Sequence, residues 1–365
     1  MKRLISLSFL LVAFFAGFSQ NIWIADNRPT APTGAHIFAD VTSAIAAASP
    51  GDIIHVIPSQ FTYPNFTVTK DSLTFFGIGY NPNKEQPSVV FVTNVTIDVG
   101  VFGTRLSGIN IATLFIGTSA TGSLGNIFIE NGEIDEIEGS NCCGQTTVSS
   151  IIIRNCILGQ NLQGSNHVIN LRDTYVSSTS VVITNNIIMG SNTTSSGGYG
   201  SISVTDAIIK NNLFLGNGST TDFAFNDMQT STISNNIFLG RQPITDATGG
   251  DVGNSTFNNN ITFGAVNDTI PTGNGNTSNG DLINTDPLLV NVPIVDDWDF
   301  TYDPSPDTGS PAIGAGNDGN DIGVSGGTIP YSSTGSPLPV IQVLRLPEII
   351  QEGTDTNATI EAEGN

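Results

Sequence analysis

Residues 207–216 read AIIKNNLFLG. The core of this stretch, apolar–polar–Asn–Asn–apolar, recurs at 181–190 (VVITNNIIMG), 151–159 (IIIRNCILG), 231–240 (STISNNIFLG) and 255–264 (STFNNNITFG). The first Asn of each copy is Asn155, Asn185, Asn211, Asn235 and Asn259, at intervals of 30, 26, 24 and 24. Asn131, Gly108 and Gly77 fill the same slot further upstream. Two residues before each slot stand Phe75, Leu106, Ile129, Ile153, Ile183, Ile209, Ile233 and Phe257, an unbroken apolar column. One residue before it stand Phe76, Ser107, Glu130, Arg154, Thr184, Lys210, Ser234 and Asn258, which vary and are mostly polar. Alternation with period two means strand. A fixed period of this length means a solenoid in which each copy is one turn. The variable intervals then place loops of different length between copies. The slot residue marks a bend, because Asn and Gly tolerate left-handed backbone. A stacked column of Asn amides there predicts a hydrogen-bonded ladder.

These copies resemble the right-handed parallel β-helix proteins of the pectate-lyase-like superfamily. Residues 40–58 (DVTSAIAAASPGDIIHVIP) resemble that family's approach to its first coil, and 310–323 (SPAIGAGNDGNDIG) its closing segment. The resemblance spans roughly residues 36–330. It implies an all-β, right-handed parallel β-helix of about ten coils with an N-terminal capping helix. It leaves function open, since the superfamily holds lyases, hydrolases, epimerases, adhesins and coils without chemistry.

The chain divides on this reading into a signal peptide (1–20), an extended segment (21–35), the β-helix (36–330) and an extended tail (331–365). The first twenty residues carry Lys2 and Arg3, an apolar run from 4 to 18, and the small residues Gly17 and Ser19 before a cleavage point. That pattern predicts export, and the run is too short to span a bilayer. In 40–48, Val41, Ala44, Ile45 and Ala48 fall at helical spacing behind Asp40 as N-cap. Residues 274–280 (NGNTSNG) read as a polar loop. The strand-like run 340–346 reads as a strand laid back along the barrel.

Eleven Lys and Arg stand against 32 Asp and Glu, a net charge of −21. Such a surface repels nucleic acid and anionic lipid, so neither is an expected partner. Polyanions are repelled too unless a cation such as Ca²⁺ bridges them; neutral glycans are not excluded. The expected state is a monomer associated with a polysaccharide or cell-surface glycan.

Three cysteines, Cys142, Cys143 and Cys156, leave an odd thiol. Cys156 follows the Asn slot, where it packs inside as a small apolar residue, unless it pairs with Cys142 or Cys143. Among the acids, Asp227 and Asp251 sit eight residues before their own slot Asn, and Asp206 and Asp173 follow strand-like runs one and two copies earlier. In enzymes of the resembled family, acids along one face bind Ca²⁺, which acidifies a uronate C–H for removal by a base, often Lys or Arg. Here that role would fall to Asp173, Asp206, Asp227 and Asp251 as metal residues and Arg172 as base, with His167, Tyr175 and Lys210 as other bases nearby. The competing reading, which weighs more, makes these acids ordinary turn formers. The family's hydrolase signature of paired aspartates with Gly-His-Gly and Arg-x-Lys is absent, and no lyase motif matches residue by residue. A carbohydrate-associated β-helix without catalysis is the leading expectation; a calcium-dependent polysaccharide lyase is the alternative. A flat adhesive or ice-binding face would need outward Thr columns, and Thr184, Thr232 and Thr256 do not share one register.

Overall fold

The computed structural model describes residues 20–80, 90–139, 146–162, 167–172, 176–178, 180–190, 200–220, 223–244, 252–331, 340–345 and 359–363. Its strands stack into long parallel sheets. The first sheet has twelve strands, and the eight-member column of the sequence runs through it rung by rung. Phe75 pairs with Leu106, Leu106 with Ile129, and so on through Ile153, Ile183, Ile209 and Ile233 to Phe257. Every member is essentially inaccessible to water. Burial of each β-branched or aromatic side chain contributes roughly 1.5–3 kcal/mol, and the stack repeats it at each turn. Parallel strands joined by crossovers wind right-handed for steric reasons. The chain is therefore a right-handed parallel β-helix.

After each strand of this sheet the chain bends sharply. Asn131, Asn155, Asn185, Asn211, Asn235 and Asn259 all have φ between 51° and 57°, and Gly108 has φ 71°. Gly77 fills its slot for another reason: a Cβ there would lie 2.1 Å from the Gly108 carbonyl oxygen. The strand then enters the second sheet, from Phe66–Val68 through Asn110–Ile116 and Glu133–Gly139 to Ile261–Phe263. That sheet forks. The front of Glu133–Gly139 pairs with Ile157–Leu158 and its rear with Ile169–Leu171. The long strands of the early coils thus become two short strands with a loop between them in the later ones.

The ladder expected at the slot Asn is displaced by one residue. The Asn186 side-chain amide donates to Asn212 Oδ1 (3.0 Å), Asn212 to Asn236 (3.0 Å), Asn236 to Asn260 (3.0 Å), and Asn260 to Asp281 (2.8 Å). This is the second Asn of each NN pair, fully buried. At the left-handed slot the side chain points the other way, out of the coil. Cys156 occupies the inner column one turn above Asn186, and its N–H donates to Asn186 Oδ1. It is a free, buried thiol, so it does not bond Cys142 or Cys143, which lie outside the described residues.

The outward-facing slot Asn side chains hold the C-terminal segment. Asn259 donates to the Ala315 carbonyl, Asn235 exchanges two bonds with Asn317, and Asn211 reaches the Asp321 and Gly323 carbonyls. Asn185 donates to the Val324 and Gly326 carbonyls. Residues 315–326 therefore run back toward the N-terminal coils, one rung at a time. Tyr331 finishes the return by stacking on Tyr80 (centroids 5.8 Å apart). The 310–323 stretch, expected to close the coil, instead lies along its side. Beneath it Ile157, Ile187, Leu213, Ile237 and Ile261 make a second apolar column, packed against Trp298, Ala312, Ile322 and Val324. Nearby, Arg241 is 1% exposed and ties Asp296 to the coil, bonding Asp296 Oδ1 at 2.7 Å and the Leu215 carbonyl at 2.5 Å.

Three further differences from the sequence reading have local causes. Ile22–Ala25, read as part of an extended segment outside the β-helix, is a strand of the first sheet between Ile37–Phe38 and Ile53–Val56. Thr277–Asn279, read as loop, pairs with Thr256–Asn258, and Gly280 (φ 70°) supplies its bend. Val340–Arg345 is a strand, as read, and pairs antiparallel with Thr359–Glu363, a partner not expected from the sequence. Helix α1 (Val41–Ala47) begins at Asp40, whose Oδ1 accepts the Ser43 N–H at 2.7 Å. It buries Val41, Ala44 and Ile45 against the first strands. No helix among the described residues is long and apolar enough to cross a membrane.

Candidate functional site

Where the second sheet forks, its rear strands carry an outward row in strict register. Thr67 pairs with Thr96, Thr96 with Phe115, Phe115 with Glu138, Glu138 with Asn170, and Asn170 with Ser203. Their chain neighbours, such as Val95 and Ile97, Leu114 and Ile116, or Ile169 and Leu171, are buried. Alternation therefore turns Thr67, Thr96, Phe115, Glu138 and Asn170 away from the core, whereas Ser203 on the sixth rung is covered, at 0% exposure. Five accessible rungs at ~4.8 Å give a mostly polar track about 19 Å long, parallel to the solenoid axis.

Arg172 follows Leu171 directly at the end of one of these strands. Its Nη1 donates to Asp227 Oδ2 at 2.9 Å, and both side chains are partly exposed. Two of the residues singled out in the sequence are thus brought together across coils. Asp227 has φ 49° and Asp206 φ 52°. Both occupy left-handed bends, the conformation Asp and Asn accept most readily after Gly, as the turn-forming reading requires. They stand at different corners. Asp206 precedes the first-sheet strand Ala207–Lys210, its N–H donating to the Gln229 carbonyl; Asp227 precedes Met228–Gln229. Asp173, Tyr175 and Asp251 lie outside the described residues.

His167 sits beneath this corner, buried, with Nδ1 2.6 Å from the Gly200 carbonyl. A carbonyl only accepts, so Nδ1 carries the proton. Burial holds the imidazole pKa below its ordinary value, with the Arg172 charge acting the same way and Asp227 and Glu138 opposing it. Lys210 belongs to the outward column of the first sheet, paired with Thr184 and Ser234, and its charge is felt by Asp318 of the C-terminal segment. Arg154 is likewise structural. With Arg105 it brackets Glu130 across three successive rungs (2.6 and 2.5 Å), and Glu130 is buried, so the three form one ion-paired cluster.

Calcium takes six to eight oxygen ligands. Among the described residues no three His, Cys, Asp or Glu side chains are grouped to hold a metal. Asp206 and Asp227, at separate corners, do not supply that set. Sequence reasoning missed Phe115, Glu138 and Asn170. The signal was present in NIATLFI and EIDEIEG, where alternation around Leu114 and Ile137 marks Phe115 and Glu138 as outward. Thr232, Thr256 and Thr277 do share a register, with Thr184 in the adjacent column, so an outward Thr file of three rungs exists on the first sheet.

No family model matches the chain, and no curated protein matches it. Among solved structures it is similar to pectate lyase Pel9A, with 13% identity over 85% of this chain and 97% of that one at a TM-score of 0.41. It is also similar to a rhamnogalacturonan lyase, with 11% identity over 72% of this chain and 87% of that one at a TM-score of 0.33. The parallel β-helix stands on the chain's own strand pairing.

Proposed function

We propose that this is an exported, carbohydrate-associated β-helix that holds an extended glycan along the rear flank of its second sheet. The observation that supports the reading is the in-register track from Thr67 to Asn170. It offers hydroxyl, aromatic, carboxylate and amide groups at a rung spacing near the length of one sugar residue. Sugars are recognised by such mixtures of aromatic faces and hydrogen-bonding groups. Export rests on the N-terminal pattern of residues 1–20, which lie outside the described residues except Gln20. The protein acts as a monomer, without nucleic acid or membrane partners.

The reading is tested by screening the mature protein against an array of plant, algal and bacterial polysaccharides. Binding of at least one class, weakened by Asn170→Ala and Glu138→Gln in protein of unchanged thermal stability, supports it. Absence of binding across the array overturns it.

A second reading, calcium-dependent β-elimination on acidic glycans, draws on one observation: Arg172 and Asp227 converge on the same flank. Asp173, Asp206, Asp227 and Asp251 would be its metal residues and Arg172 its base. Against it, Arg172 is engaged as a donor to Asp227, whereas a base must accept a proton. Absorbance near 235 nm on uronate polysaccharides, with Ca²⁺ and then chelator, separates the two. A calcium-dependent rise abolished by Arg172→Ala would establish the lyase; a flat trace would remove it.

A further inference from the structure

One end of the flank is a groove of a different character. Helix α1 overhangs the first strands of the second sheet and encloses a cavity of about 560 Å³ with them. Ile45 and Ala46 of the helix form one wall, and Phe66 and Phe115 supply apolar surface. Thr42, Asn65, Thr67, Thr69, Asn94 and Thr96 complete the lining. None of the ten lining residues is ionisable. That is informative in a chain with 32 acidic residues. An exposed groove kept only for solubility would carry charge.

We propose that this groove is a binding site for a neutral oligosaccharide segment, separate from the charged corner at Arg172 and Asp227. The chemistry of its walls selects the ligand class. Six hydroxyl or amide side chains can each donate and accept, as sugar hydroxyls do. The half-buried Phe115 ring offers a face for the C–H surface of a pyranose. No cationic side chain lines the groove; the neighbouring Lys70 ammonium is engaged by the Ala46 (2.8 Å) and Ala48 (2.6 Å) carbonyls, and the net charge of −21 disfavours an anion. The volume falls in the ordinary range for small-ligand sites. Asn65 Oδ1 already accepts the Asn94 N–H at 2.9 Å, which fixes the two amide-bearing strands relative to each other. The proposal rests on the glycan-holding reading of the flank and names the sugar class taken at this end.

The experiment is isothermal titration of the mature protein with neutral gluco-, xylo-, manno- and galacto-oligosaccharides, beside an oligogalacturonide of equal length. Phe115→Ala, Thr96→Val and Asn170→Ala are titrated in parallel, each checked for an unchanged melting transition. The expected result is binding of at least one neutral oligosaccharide. Phe115→Ala should then weaken it by roughly tenfold, from the size of aromatic contacts, and Thr96→Val by a smaller factor without altering the fold. Neutral sugars bound equally well by both groove variants but lost in Asn170→Ala would overturn the groove while leaving the glycan reading intact. Binding of the oligogalacturonide alone would overturn the neutral class. No binding by any oligosaccharide would overturn the groove proposal, and the polysaccharide array then decides the broader one.

Discussion

Asn236→Ala, set beside Asn235→Gly, separates the roles of two adjacent asparagines that the sequence presents as one motif. The Asn236 side chain makes four buried hydrogen bonds. Its Oδ1 accepts from the Asn212 backbone N–H (2.9 Å) and side-chain amide (3.0 Å). Its Nδ2 donates to Asn260 Oδ1 (3.0 Å) and the Ile209 carbonyl (2.9 Å). Truncation leaves the Asn212 N–H and the Ile209 carbonyl without those partners in a site closed to water. A buried donor or acceptor left unmade costs about 1–3 kcal/mol, so the expected loss is about 3–5 kcal/mol. Asn235 has φ 56° and two bonds to Asn317 across a partly buried surface. Glycine keeps that backbone conformation, so Asn235→Gly loses the two bonds and some chain entropy, about 1–2 kcal/mol. Urea denaturation followed by circular dichroism and fluorescence reads both, as midpoint shifts at an unchanged slope. An Asn236→Ala loss below 1 kcal/mol, or one no larger than that of Asn235→Gly, would refute the inner-ladder reasoning.

Other outcomes follow from buried charge and buried acids. Arg241→Met removes the cation that faces the buried Asp296 and should cost about 3–5 kcal/mol. Pairing it with Asp296→Asn should restore part of that loss in a double-mutant cycle. Burial pushes the Cys156 thiol up to about 12, so in a Cys142→Ser/Cys143→Ser background the native protein should resist a thiol reagent at pH 8 and react only on unfolding. Tyr63 is also raised to about 12 from 10.0 by burial. In both groups the folded pKa exceeds the unfolded one, so their contribution is complete below about pH 9 and lost as pH rises toward 12. Cys156→Ala should flatten the lower part of that alkaline decline in melting temperature. Glu133 and Asp135 are raised by burial, and Glu133 also by the neighbouring Asp135 charge. Their ionisation opposes folding above about pH 4, so Glu133→Gln should raise the melting temperature at pH 7 and change it little at pH 3.

The sequence by itself determined the solenoid, the apolar column from Phe75 to Phe257 and the left-handed bends. Each of those is a one-coil property repeated, and a repeat makes its own register visible. It also determined the internal position of Cys156 and the helix behind Asp40, because both rest on neighbours within a few residues. It did not determine which Asn of each pair forms the ladder, since both fit a bend and only packing decides which side chain turns inward. The two-sided burial of Ile187, Leu213 and Ile237 was legible in the unbroken runs IIM, LFL and IFL, which lack the alternation of a half-exposed strand. What covers them was not, because the returning segment 315–326 lies more than fifty residues further along the chain and has no period. The same limit applies to the candidate site. Arg172 and Asp227 are 55 residues apart, and the track from Thr67 to Asn170 draws one side chain from each of five coils. Loops of unequal length separate those coils, so only the stacked tertiary structure, in which hydrogen bonds fix each rung above the last, brings them into one line.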